Sequence, residues 1–368
     1  MNKKYNITIL WGTDGFGKWL CEYILKEFSE YVRITITGRN QWKWKKITQE
    51  LLEKYLQPSS LEKRGDSEVS FSLDNVQAVQ DADIVIYSVP IAYTQNIIEE
   101  TLPYIKAWAV VADVTSIKKF PSKTMQTRDD IIVIPTHPMF GPYIQSIAGQ
   151  AFVLTPEQSI QETKEYKFLY NYLKNQKARV IESTPEYHDK MMAVVQGLTH
   201  LNMFVVGETM KRLGFNIADS MDFISPIYKL MISSVGRYLW QNPALYADIQ
   251  MYNDEVLEVH EKFLDTAKNF HRSVQDKDSE KFCQDIMHAR DFLGVEHCQE
   301  GQEYTDKVIY LLGKQIDILK QNIGQQIKLK NIYSGEIIEG DLHEYKNWKI
   351  FFSSGEVYRI DQYEVIEI

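Results

Sequence analysis

One histidine stands on an unusually stiff segment, Pro135-Thr136-His137-Pro138-Met139-Phe140-Gly141-Pro142. Three prolines and a glycine restrict the backbone around it, which is a way to hold an imidazole still. An imidazole exchanges protons near neutral pH, so the chemistry on offer is general acid or base work. The run before it, Asp130 to Ile134, is rich in β-branched residues and reads as a buried parallel strand. His137 would then leave the carboxyl end of a strand, where open α/β sheets place their sites. A histidine that only caps a loop is the plainer account.

A second candidate site opens the chain. Asn6 to Trp11 reads as a strand, Gly12-Thr13-Asp14-Gly15-Phe16-Gly17 as a turn, and Lys18 to Phe28 as a helix with Trp19, Leu20, Tyr23 and Ile24 on one face. Strand, glycine turn and helix form the setting in which backbone amides cradle a dinucleotide. Gly12 would make the tight turn, and Gly17 would let the helix pack on the strand. The middle glycine of that pattern, where backbone meets pyrophosphate, is replaced by Asp14. Its carboxylate would repel the pyrophosphate unless it turns away to cap the amides near Phe16 and Gly17. The same turn serves equally as a turn and nothing more.

The following strand, Val32 to Thr37, ends in Gly38-Arg39-Asn40, with Trp42-Lys43-Trp44-Lys45-Lys46 beyond. No carboxylate is offered there for the ribose hydroxyls of NAD, whereas a guanidinium suits a 2′-phosphate. NADP is therefore favoured over NAD, with an ordinary solvated basic surface as the other reading.

These residues need a frame. Further strands are expected at Val69 to Ser72, Asp83 to Val89, Ala109 to Val114 and Ile131 to Pro135, with helices around Asn75 to Gln80, Thr94 to Ile105 and Ser116 to Met125. Such alternation is the pattern of a doubly wound sheet. Ala151 to Leu154 and Ala178 to Glu182 would complete a first domain over residues 1–183. From Thr184 the apolar period becomes helical and stays so to about Ile323, giving an all-helical second domain over 184–324. Short strand-like runs at Ile327 to Leu329, Glu336 to Ile338, Trp348 to Phe352 and Val357 to Ile360 predict a small β-meander or barrel over 325–368.

Composition limits the partners. A chain of 368 residues with 44% hydrophobic and 25% charged residues is globular, and its net charge of −9 argues against a nucleic-acid or anionic-membrane surface. No apolar run reaches the roughly 18 residues of a membrane span, so a cytoplasmic protein is expected. Three cysteines without metal-ligand spacing fit reduced thiols. Neither His188 nor His200 has a second ligand at i+4, so no metal is expected. Twelve residues separate these two histidines, about 120° from a common face on a regular helix, so they reach one spot only if that helix bends.

Taken together, the glycine turn with Lys18-Trp19, the run Asp113-Val114-Thr115-Ser116-Ile117-Lys118, and His137 to Pro142 resemble the prephenate and arogenate dehydrogenases. The helical half agrees: His188-Asp189, Gln196, Thr199-His200, Ser225-Pro226-Ile227-Tyr228-Lys229, Gly236-Arg237 and Leu245 to Ile249 follow in the order of that family. The likeness covers residues from about 5 to 300 and leaves 325–368 outside it.

The resemblance agrees with an α/β protein that has an N-terminal Rossmann-like doubly wound sheet and an all-helical second domain, to which the strand-like pattern after Gly324 adds a small C-terminal β domain. It implies an NAD(P)-dependent oxidative decarboxylation of prephenate or arogenate in tyrosine biosynthesis, in a homodimer whose helical domains intertwine. His137 would accept the proton of the ring hydroxyl. Ser116, otherwise an ordinary helix cap, would reach the same hydroxyl or the imidazole. Arg237 would clamp a substrate carboxylate, with Lys229, Thr199 and His200 also on the substrate. Gly12, Thr13, Asp14, Gly15, Phe16, Gly17, Arg39, Asn40 and Ser88 would line the cofactor, and His188 would lie beside the nicotinamide or orient the domain junction. An amino-substituted substrate of secondary metabolism and a non-catalytic ligand sensor on the same scaffold are the alternatives, and Asp14 is what keeps the sensor open.

Overall fold

The structure, a computed structural model, describes residues 4–39, 69–220, 223, 225–332, 334–346 and 349–367. The chain divides into two compact units, residues 1–213 with 235–263, and residues 214–234 with 264–368.

The first unit begins with β1 (Tyr5–Leu10), α1 (Gly15–Phe28), β2 (Val32–Thr37), β3 (Val69–Ser72), α2 (Asn75–Val79), β4 (Ile84–Tyr87), α3 (Ile91–Thr101), β5 (Val110–Asp113), α4 (Lys119–Met125) and β6 (Ile132–Val133). The strands form one parallel sheet in the order β3-β2-β1-β4-β5-β6. This is the doubly wound Rossmann order, in which the chain reverses direction between β1 and β4 and opens a crevice at their carboxyl ends. Core clusters lie against the sheet on both faces; the inner strand β4 is apolar throughout, whereas β2 and β3 alternate apolar with polar residues. Leu10, Val85, Tyr87 and Val111 pack in one core cluster, and Ile7, Ile9, Ile34 and Ile36 pack in another with Cys21 and Leu25 of α1.

His137 follows the carboxyl end of β6 but does not sit on a loop. It lies within a short strand β7 (Thr136–Pro138), which pairs antiparallel with β8 (Ala151–Leu154), and β8 pairs parallel with β9 (Arg179–Glu182) across α5 (Lys164–Asn175). These three strands make a separate sheet instead of extending the first. Pro135 has no N–H to donate and so ends the β6 ladder just before β7. His137 is consequently held in register opposite Val153, more firmly than on a loop.

The helical expectation from Thr184 holds. Thr184 caps α6 (Pro185–Met192) by accepting the Tyr187 N–H, with Pro185 at the first position. The chain then passes through a π-helical segment, Ala193–Leu198, into α7 (Thr199–Arg212), and α8 (Pro226–Trp240), α9 (Pro243–Tyr252) and α10 (Val256–Gln275) follow. The π segment is the bend that two histidines on one face require. At about 80° per residue instead of 100°, its six residues bring the twelve steps from His188 to His200 close to three whole turns. Both imidazoles are buried.

The second unit contains α11 (Ser279–Leu293), α12 (Val295–Gln321) and an antiparallel sheet of β10 (Gln326–Asn331), β11 (Ile337–Lys346), β12 (Lys349–Phe352), β13 (Val357–Arg359) and β14 (Tyr363–Glu367). Its order, β13-β12-β11-β10-β14, returns the last strand to the first, so it is not a simple meander. Trp348 of the expected third strand lies outside the described residues. Ile327, Leu329, Leu342, Ile350 and Phe352 form its core together with Leu319 from the end of α12.

Candidate active site

Two imidazoles and a carboxylate form a chain at the carboxyl end of the parallel sheet. His137 Nδ1 lies 2.8 Å from His188 Nε2, and His188 Nδ1 lies 2.7 Å from Asp189 Oδ1. All three side chains are buried. Burial, then the neighbouring His188 and Lys118, hold His137 well below its ordinary pKa of 6.5. Burial also lowers His188, against the opposing pull of Asp189. Both rings are therefore neutral at physiological pH, and the direction of the chain is decided. A carboxylate only accepts, so His188 carries its proton on Nδ1 and presents a lone pair at Nε2. His137 must then donate from Nδ1, which leaves Nε2 as a bare acceptor. That tautomer is the one a general base needs.

Asp189 is itself fixed from three directions. Its carboxylate accepts the main-chain N–H groups of Lys118 at 2.8 Å and Lys119 at 2.9 Å, and its carbonyl accepts from Asn253 Nδ2 at 2.8 Å. These amides belong to the start of α4, so Asp189 does the capping expected of Ser116. Ser116 sits half-buried in the turn before that helix, and the hydrogen bond of the imidazole goes to His188 instead. Both ring nitrogens of His188 are taken by protein groups.

Across the crevice, the turn between β1 and α1 is built as a dinucleotide turn. A Cβ on Gly17 would meet the Trp11 carbonyl at 2.5 Å and the Ser88 hydroxyl at 3.0 Å, and one on Gly12 would meet Ile36 at 2.7 Å. Both positions are closed to any other residue. Thr13 is buried behind the turn, against Gly38. Asp14 is the N-cap of α1 and exposed, its Oδ1 accepting the Gly15 N–H at 3.1 Å. Phe16 lies 5.7 Å from Phe140, and Trp19 lies 5.2 Å from Phe140 and donates to the Ile144 carbonyl, so the turn is fastened to the segment that follows His137. Free amides at a helix N-terminus beside a close-packed glycine turn fit a nicotinamide dinucleotide.

Arg39 follows β2 and stacks on two rings, 4.6 Å from the centroid of Trp11 and 5.0 Å from that of Tyr93. Trp11 has a φ of 69°, a left-handed conformation that costs a bulky residue roughly 1–3 kcal/mol. Asn40 and the run Trp42 to Lys46 lie outside the described residues.

Comparison with known proteins agrees with this geometry. A family model for the nucleotide-binding domain of prephenate dehydrogenase matches residues 52–182, and one for its dimerization domain matches 184–288. A probable arogenate/prephenate dehydrogenase of Methanocaldococcus jannaschii is 38% identical over 345 residues, 93% of this chain and 73% of that protein. The chain belongs to the prephenate dehydrogenase family. The T-protein of Haemophilus influenzae is 29% identical over 75% of each chain. Among solved structures, A. aeolicus prephenate dehydrogenase in complex with hydroxyphenyl propionate and NAD+ superimposes with a TM-score of 0.58 at 16% identity. It covers 78% of this chain and 96% of its own, and so supports the shared fold.

The remaining family residues fall in two places. His200 packs its ring 4.7 Å from that of Tyr246, whose hydroxyl pKa is pushed up to about 12 by burial, against the opposing charge of Arg237 on α8. Burial lowers the His200 pKa to about 4, and its Nδ1 is buried without a partner among the described residues. Thr199 is half-buried at the start of α7. Lys229 belongs to the second compact unit. The residues bonded into this site to which sequence reasoning gave no role are Asp189, Lys118 and Asp113.

The depressed histidines make stability depend on pH. His137, His188 and His200 resist protonation when folded, whereas unfolded histidines accept a proton near 6.5. The unfolded chain therefore binds more protons below that pH, and stability present above 6.5 is lost as pH falls toward about 4, where His200 titrates in the folded protein. Thermal melts should show Tm dropping already between roughly pH 6.5 and 5, with a shallower slope in His200→Gln. A flat Tm over that interval would contradict the neutral assignment.

Proposed function

We propose that the chain oxidatively decarboxylates prephenate or arogenate with His137 as the base, NADP as the preferred hydride acceptor, and a homodimer as the working form. The observation that carries this reading is the chain Asp189–His188–His137, which leaves one imidazole lone pair unprotonated at the carboxyl end of a Rossmann sheet.

The ring hydroxyl of the substrate donates to His137 Nε2. As its O–H bond breaks, the C–H electron pair leaves as hydride, and the bond to the ring carboxylate breaks to release carbon dioxide while the ring becomes aromatic. The nicotinamide, when bound, supplies the hydride acceptor. The protein's task is to take the proton and to hold two charged molecules in line. Ser116 follows the strand that ends in Asp113 and is assigned to the same hydroxyl. Arg237 is the clamp for a carboxylate, because a guanidinium grips it through two parallel hydrogen bonds. His200, neutral and with a spare nitrogen, and Thr199 are assigned to the substrate side. The ordered base chain supports an enzyme over a ligand sensor, which has no use for an imidazole whose tautomer is fixed.

Reduction of either nicotinamide with matching carbon dioxide release from prephenate or arogenate tests this, and ligand binding without turnover would return the sensor reading. The cofactor preference rests on Arg39, stacked on Trp11 and Tyr93 where the adenosine end would lie. Arg39→Glu should reverse the order of kcat/KM, from NADP above NAD to NAD above NADP. A wild-type protein more efficient with NAD would defeat this assignment. The homodimer is supported by the match of 184–288 to a dimerization domain.

A further inference from the structure

Lys118 is fully buried, as is the Asp113 carboxylate that its ammonium bonds. Lysine is seldom enclosed without water unless it is paired, and even a good buried pair is often no more stable than apolar side chains of similar size. This pair is not fully satisfied, since Asp113 Oδ1 is buried without a partner among the described residues. Stability alone does not account for it. Its location suggests what does. The ammonium donates to the Thr136 carbonyl at 2.7 Å, one residue before His137, and the Thr136 hydroxyl donates to the Asp113 carbonyl at 2.7 Å. The main-chain N–H of Lys118 meets Asp189. One residue thus touches the strand under the site, the segment carrying the base, and the acid at the far end of the imidazole chain.

We propose that Lys118 is a positioning residue for the reaction, pinning the backbone that carries His137 and directing the abstracted proton away from His137 toward His188 and Asp189. The charged and titratable groups facing the two imidazoles are Lys118 from the turn before α4, Asp113 from the end of β5, and Asp189 from α6. Burial and Lys118 oppose positive charge on both rings, whereas the Asp189 and Asp113 carboxylates support it on His188 alone. When the substrate O–H breaks, an N–H forms at His137 Nε2. The His137 Nδ1–H then breaks as an N–H forms at His188 Nε2, so a single positive charge comes to rest against the Asp189 carboxylate. His137 returns to a neutral ring, and no proton is gained or lost along the way.

The inference rests on His137 as the base, and the variants separate the two. Lys118→Met alone would strand a buried Asp113 charge, so the test uses Asp113→Asn/Lys118→Met together with Asp113→Asn/Lys118→Gln, which keeps a donor for the Thr136 carbonyl but removes the cation. Lys118→Arg restores the charge. With folding checked by circular dichroism, the two neutral variants should lose about tenfold or more in kcat with KM within about threefold. The acid limb of kcat/KM should rise by about one pH unit as His137 loses the opposing cation, and the arginine variant should return toward wild type. Neutral variants with an unmoved acid limb and unchanged kcat would overturn the role of Lys118. Retained activity in His137→Asn would instead overturn the base assignment beneath it.

Discussion

His137→Asn should lower kcat by roughly 10²- to 10⁴-fold while KM for the substrate changes little, the cost of removing a positioned general base. Asparagine preserves a donor toward His188 Nε2 and a polar group toward the substrate, so the protein should fold and bind. What it lacks is a lone pair able to keep a proton at the moment hydride leaves. The prediction is stronger than usual because the structure fixes which nitrogen is the acceptor. Asp189 accepts from His188 at 2.7 Å, His188 in turn from His137 at 2.8 Å, and His137 Nε2 is the end of the line. The consequence for the pH profile has a definite sign. Since burial and His188 hold His137 well below 6.5, activity should persist into mildly acidic solution and fall only as the base is protonated. Steady-state kinetics of both proteins from neutral to acid pH decide the matter. A variant with normal kcat and a raised KM would move His137 from proton transfer to substrate binding.

The sequence made His137 visible because prolines and glycine leave a local signature. The glycine turn and the parallel strands were legible for the same reason, since turn chemistry and β-branched runs act within a few residues. The rest of the site depends on long-range pairing. Asp189 meets the amides of Lys118 and Lys119 from about seventy positions away, a distance over which one sequence carries no signal. The turn at Asp113 to Lys118 could be recognised as a family pattern, but not as a buried ion pair beneath the base. The π segment at Ala193–Leu198 shows the same limit, because helical periodicity assumes 3.6 residues per turn and so places His188 and His200 on different faces. The second sheet was hidden by continuity, as β7 follows β6 so closely that the two read as one strand with a loop.

Asp14→Gly should tighten nucleotide binding by about a hundredfold. At about 5 Å from a pyrophosphate, and an effective dielectric near 20, one carboxylate charge opposes one phosphate charge by on the order of 3 kcal/mol. The structure sharpens the comparison in two ways. Asp14 is exposed at the amino end of α1, where its side chain accepts the Gly15 N–H at 3.1 Å. Its charge is therefore near the place where the glycine turn would present amides to phosphate, and it competes with the ligand for the positive end of the helix. Replacement by glycine surrenders a cap, but glycine is itself an acceptable cap residue and the loss is only a few tenths of a kcal/mol, so Tm should barely move. Gly15, with a φ of 49° and open space around it, lets the turn adjust without strain. Fluorescence titration of both proteins with NADP measures the difference directly. Unchanged affinity with an unchanged Tm would show that the carboxylate lies turned from the phosphates, and weaker binding would show that its hydrogen bond to Gly15 holds the turn in its receptive shape.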